Sequence, residues 1–214
     1  MVQQRGSSTD GLVATTCAPR PGRAGHSVDL QTSFGPVACQ LIGPEDARLV
    51  VALQGSAPFN IAEWDRAANV LAHGPNAVRV VLPNFHSNAR TAPGAARFAT
   101  IEKVLLEILP KKQRMFLAGK SWGGAMAATF AAAHPDLVEK LVLVAPALTD
   151  KSVLSKLSMP VFLAWAQDDD LVPYRNAQVY QDSCPRLKLH SAASGGHKIL
   201  DAYSNLIFRF LSTM

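Results

Sequence analysis

Met115-Phe116-Leu117-Ala118-Gly119-Lys120-Ser121-Trp122-Gly123-Gly124-Ala125-Met126-Ala127-Ala128 joins a short apolar run to an alanine-rich one through three glycines and a serine. The apolar run 115–118 predicts a strand, and the small residues of 122–134 predict a helix packed inside a sheet protein. Between them Gly119, Ser121 and Gly123 spell G-x-S-x-G, a pattern that carries meaning at a sharp strand-to-helix turn. A serine there takes a strained backbone, usually at positive φ, and Cβ atoms on its neighbours would collide with it and with the next strand. Such a turn holds the hydroxyl above the sheet edge. The amide of Trp122 then lies at the helix N-terminus, where the dipole favours an oxyanion. A glycine-rich turn with an incidental serine is the alternative.

Outward from this turn the same alternation continues. Segments 27–33 and 37–42 predict a hairpin with Gly35-Pro36 as its turn. The runs 48–53 (RLVVAL), 77–82 (AVRVVL), 140–144 (KLVLV), 160–166 (PVFLAWA) and 187–190 predict further strands. Helices are expected over 61–73, with Ile61, Trp64, Ala68 and Leu71 on one face, and from Phe98 to a stop at Pro110. Two more are expected over 176–184 and 198–212, and a loop over 84–94. Strands alternating with helices imply an α/β fold: a mostly parallel sheet with helices on both faces, forming one domain over 26–214. Residues 1–25, rich in Ser, Thr, Gly, Pro and Arg, predict a flexible tail without the apolar core of a secretory signal. A short organelle-targeting segment is the other reading.

Length and composition narrow the function classes. At 214 residues, 48% apolar and 17% charged, the chain suits one globular domain with a sizeable core. No uncharged apolar run approaches the roughly 18 residues of a membrane span. The net charge of +5 is scattered. Its densest run, Lys111-Lys112-Gln113-Arg114, reads as a solvated turn, and without a basic stripe no nucleic-acid partner is expected. Cys17, Cys39 and Cys184 are an odd, widely spaced set, giving neither a disulfide framework nor a metal site and suggesting a reducing, cytoplasmic compartment. The glycines at 119–124 lack the order of a phosphate-binding loop, so neither cofactor nor metal is expected.

A serine hydroxyl becomes a nucleophile only when a base removes its proton, and the base needs a third group to fix its tautomer. Downstream of Ser121 stand His134, His190 and His197. His197 follows Ser194-Gly195-Gly196 in a loosened loop before the closing helix. His134 ends a helix and His190 sits on a strand, where surface or core roles suit them. For the acid, strand 160–166 runs into Gln167-Asp168-Asp169-Asp170-Leu171-Val172-Pro173. Here the chain resembles the α/β-hydrolase superfamily, whose strand at this point commonly ends in a pattern like G-x-x-D-x-x-V-P. The resemblance runs from about residue 36 to the end and implies a single-domain α/β-hydrolase fold. Aligned on Val172-Pro173, it makes Asp169 the acid, with Asp168 the adjacent alternative; Ala166 replaces the usual glycine. Val51-Ala52-Leu53-Gln54-Gly55-Ser56 matches the family's strand and H-G-x segment. That implies Ser56 and Trp122 as oxyanion amides, with Gln54 in place of the usual histidine. The segment 82–88 resembles the family's D-x-P-G-x-G-x-S loop in degraded form.

Many relatives insert a helical cap after the strand equivalent to KLVLV. Here only 146–159 separates that strand from the next, enough for a loop and one short helix, so the cap is minimal and the site open. The resemblance therefore implies a serine hydrolase cleaving small ester, thioester or other acyl substrates through an acyl-enzyme. A non-catalytic scaffold that binds a small molecule or a protein, or an acyltransferase, are the alternatives. Phe59 and Trp122 are candidates to touch the substrate. Lys120 is expected to be an exposed lysine beside the turn, and His86 a loop residue.

Overall fold

The computed structural model describes residues 14–16, 25–56, 61–73, 76–85, 94–108 and 113–213. Its strands are β1 (Ala14–Thr16), β2 (His26–Thr32), β3 (Gly35–Ile42), β4 (Leu49–Leu53), β5 (Arg79–Pro83), β6 (Met115–Lys120), β7 (Val138–Val144), β8 (Val161–Ala166) and β9 (Leu187–Ala192). The helices are α1 (Asp65–His73), α2 (Gly94–Ile108), α3 (Trp122–Ala133), α4 (Asn176–Ser183) and α5 (Leu200–Ser212).

The strands form one sheet in the order β1-β2-β3-β5-β4-β6-β7-β8-β9. From β5 to β9 every pairing is parallel, while β1, β2 and β3 are joined by antiparallel ladders. Continuous apolar runs arise because β4, β6 and β8 are buried on both faces along their whole length. Neighbouring residues on a strand point to opposite sides. Thus Val51, Leu53, Leu117, Leu143 and Leu163 pack beneath α2, α3 and α4, whereas Val50, Ala52, Phe116, Val142 and Phe162 pack beneath α1 and α5. The connection from β7 to β8 carries a single 3-10 turn, Lys151–Lys156, whose first amides are capped by Asp150 Oδ1 accepting from Ser152 N at 2.9 Å. That is the minimal cap the sequence implies.

Some boundaries differ from expectation. The hairpin turns at Ser33-Phe34, not Gly35-Pro36: Thr32 pairs with Gly35, so Pro36 is already a strand residue. Gly35 adopts φ +96° directly after the turn, and Glu107 of α2 accepts from both Ser33 N (2.7 Å) and Ser33 Oγ (2.5 Å). β1 lies inside the stretch read as a tail and pairs with β2. Among the described residues no helix is long and apolar enough to cross a membrane.

Candidate active site

Ser121 stands between β6 and α3 with φ 53° and ψ −120°. A non-glycine residue there costs on the order of 1–3 kcal/mol, so its surroundings must hold it. They do so through the backbone: Ser121 N donates to Val144 O (2.9 Å), and Ser121 O accepts from Ala125 N (3.1 Å) and Ala147 N (2.9 Å). Each glycine of the motif meets a backbone or proline. A Cβ on Gly119 would lie 2.3 Å from Gly123 O, one on Gly123 2.4 Å from the carbonyls of both Leu53 and Gln54, and one on Gly124 2.9 Å from Pro146 Cβ. The elbow is thus wedged between β4 and the chain leaving β7.

Two strands further along the sheet, β8 delivers Asp169 and β9 delivers His197, both at the same carboxyl edge as Ser121. His197 Nδ1–H donates to Asp169 Oδ2 at 2.8 Å, and both side chains are almost fully buried. The other carboxylate oxygen, Oδ1, accepts from Leu171 N (3.0 Å) and Val172 N (2.9 Å). Asp169 is therefore surrounded by donors, and its contact with Nδ1 leaves Nε2 as the ring nitrogen that can accept a proton. Asp168 has a separate task. Its carboxylate takes Gly196 N (2.8 Å) and Gly195 N (3.2 Å), holding the loop that carries His197. The bond from Gly196 first, and that from Gly195 with it, keep the Asp168 carboxyl below its ordinary range. Gly195 adopts φ +134°, a backbone that a residue with a Cβ takes only under strain.

Beside the elbow, the loop after β4 runs close to the serine: a Cβ on Gly55 would lie 3.5 Å from Ser121 Cβ. Ser56 is exposed at the bend that follows, and Trp122 is half-buried as the first residue of α3. Gln54 is fully buried; its Nε2 donates to Asn84 Oδ1 at 3.4 Å, while Oε1 has no hydrogen-bond partner among the described residues. Lys120 overturns its expectation. It is only 2% exposed, and its Nζ donates to Glu63 Oε2 at 2.6 Å, because strand β6 is covered on both faces and its charge must find a partner inside. Phe59 and His86 lie outside the described residues.

A sequence model described as the alpha/beta hydrolase family matches residues 92–205, more than half of the chain. The chain belongs to the alpha/beta hydrolase family. Membership supports hydrolase activity. No curated protein sequence matches it. Among solved structures, a serine hydrolase from the polyaromatic hydrocarbon-degrading bacterium Cycloclasticus zankles is 15% identical, with a TM-score of 0.77 over 87% of this chain and 97% of that one. Naproxen esterase from Bacillus subtilis is 14% identical, with a TM-score of 0.75 over 89% and 93%. The thioesterase domain from the curacin biosynthetic pathway is 14% identical, with a TM-score of 0.73 over 89% and 100%. At these identities the likeness is one of fold.

In this alpha/beta hydrolase the other two histidines downstream of Ser121 are engaged elsewhere. His134 Nε2 pairs with Glu102 at 2.8 Å, linking α3 to α2, and His190 stacks on Phe162 with ring centroids 4.4 Å apart. Among the described residues no group of three or more His, Cys, Asp or Glu could hold a metal. Two features escaped the sequence reading. Glu63 looks like an ordinary helix-start acid, and the signal that could have found it was Lys120 itself, a lysine on a strand otherwise fully apolar. The second is the hold of Asp168, named only as the alternative acid, on the Gly195–Gly196 backbone, unsignalled because an acid on a turn usually faces water.

Proposed function

We propose that this chain is a serine hydrolase cleaving small ester, thioester or other acyl substrates, with Ser121 as nucleophile, His197 as general base and Asp169 as the acid that orients it. The carrying observation is the buried 2.8 Å bond between His197 Nδ1 and Asp169 Oδ2, at the sheet edge where Ser121 is held at positive φ. A scaffold without chemistry has no need to desolvate that pair at the sheet edge that carries a strained serine.

His197 Nε2 takes the hydroxyl proton of Ser121 as Oγ attacks the acyl carbonyl. The carbonyl oxygen gathers negative charge, held by the amides of Ser56 and Trp122, each worth about 10²–10³ in rate. The imidazolium, stabilised by Asp169, gives its proton to the leaving alkoxide or thiolate as the tetrahedral intermediate collapses to an acyl-serine. Water, deprotonated by the same imidazole, then attacks the acyl-serine and frees the acid and Ser121. Trp122, half-buried beside the serine, and Phe59 are the residues we assign to substrate contact. The names of the structural neighbours, an esterase and a thioesterase among them, agree with this acyl chemistry.

A fluorophosphonate probe tests the reading directly. The wild-type protein is expected to label covalently, and Ser121→Ala to remove the label while its circular dichroism and melting temperature stay near wild type. Label surviving in Ser121→Ala, or none on a folded wild type, would sink the assignment.

A further inference from the structure

We propose that Glu63 is a positioning residue that sets the oxyanion hole by clamping Gly55, with Lys120 present to neutralise it; the inference rests on the serine-hydrolase reading above. One carboxylate joins two segments of the site. Glu63 Oε1 accepts from Gly55 N at 2.5 Å, and Oε2 accepts from Lys120 Nζ at 2.6 Å. Gly55 belongs to the loop after β4, and Lys120 is the residue before the nucleophile. Glu63 itself sits in the 3-10 turn Ile61–Trp64, which Trp64 pins to the end of β4 by donating from Nε1 to Leu53 O at 3.2 Å. Lys120 is 2% exposed and Glu63 11% exposed, so both charges are out of water.

The pair is hard to explain as a stability device, since two apolar side chains of similar volume usually serve as well or better. Its placement offers another reason. Gly55 lies between the Glu63 carboxylate and Ser121: a Cβ there would be 3.3 Å from Glu63 Oε1 and 3.5 Å from Ser121 Cβ. By accepting the Gly55 N–H, Glu63 fixes the plane of the peptide entering Gly55. The next peptide unit carries the Ser56 N–H, and a glycine between the two would otherwise let it swing. A lone carboxylate this near a developing oxyanion would oppose the charge that the hole must stabilise. The Lys120 ammonium cancels that field and leaves the hydrogen bond.

The test compares two double variants that both remove the charges. In Glu63→Gln/Lys120→Met the amide oxygen can still accept from Gly55 N; in Glu63→Leu/Lys120→Met it is gone. Both are scored by melting temperature and by the second-order rate of fluorophosphonate labelling. The first is expected to label within about threefold of wild type. The second is expected to stay folded with a lowered melting temperature, since a buried N–H loses an acceptor, and to label about 10- to 100-fold more slowly than the first at a temperature where both are folded. Equal rates in the two folded variants would overturn the clamp. So would a folded Glu63→Gln/Lys120→Met that labels about a hundredfold more slowly than wild type, since the charges, not the bond to Gly55, would then govern the rate. A wild type that does not label overturns the serine-hydrolase reading and this inference with it, whereas a labelling wild type with equal variants overturns only the clamp.

Discussion

Asp169 uses both oxygens inside the protein, Oδ1 for the amides of Leu171 and Val172 and Oδ2 for the His197 imidazole. An amide in its place can keep the first role and must spoil the second. With its oxygen toward the two backbone amides, an asparagine turns its NH₂ toward Nδ1, which then has to accept. The proton moves to Nε2, the nitrogen needed as base. Asp169→Asn is therefore expected to lower kcat by about 10³–10⁴-fold with little change in KM, because the loss falls on proton transfer. Steady-state kinetics on an activated ester, beside a melting curve, checks it; activity within tenfold of wild type would remove Asp169 from the role. Sequence reasoning left Asp169 and Asp168 adjacent as alternatives. The frame of Val172-Pro173 pointed to Asp169, and it is Asp169 that bonds the imidazole, while Asp168 binds the loop backbone.

Elements were legible wherever burial on both faces writes a continuous apolar run. Strands β4, β6, β7 and β8 lie within a few residues of the runs that predicted them, since each carries a nearly unbroken apolar stretch. The hairpin turn was misplaced because Gly35-Pro36 looks like turn chemistry, while the register is set by β2 and by Glu107 of α2, which is distant in sequence. The Glu63–Lys120 pair was illegible for the same reason: no local pattern connects residues so far apart. The elbow, by contrast, is local, and its tolerance follows from measured space. Gly123 lies within α3, where alanine would gain about 1 kcal/mol of helix propensity. Its Cβ would stand 2.4 Å from the backbone carbonyls of Leu53, the last residue of β4, and Gln54 after it, which no rotamer change can relieve. The collision wins. Gly123→Ala is expected to destabilise the protein by about 1–3 kcal/mol, read as a lower urea midpoint at unchanged slope. A midpoint equal to or above wild type would show that α3 is not seated against β4 as described.

The whole molecule places its candidate chemistry along one edge of a nine-stranded sheet, with Ser121, Asp169 and His197 all buried there. Between β7 and β8, where a helical cap would arise, the chain spans only from Ala145 to Pro160 and makes one 3-10 turn. Leu171, beside the acid loop, is 62% exposed, an apolar side chain that a cap would be expected to cover. Binding energy for a long acyl chain comes from apolar area removed from water, at roughly 25 cal/mol per Å². A β7–β8 connection this short removes little of it beyond the first few carbons, and among the described residues it supplies no helical lid for a lipid surface to displace. Across a panel of p-nitrophenyl esters, kcat/KM is thus expected to level off at short chains, without a sharp rise when the substrate passes its micellar limit. A marked optimum at long acyl chains would mean that residues of this chain close over the site and build the apolar pocket that the β7–β8 connection does not.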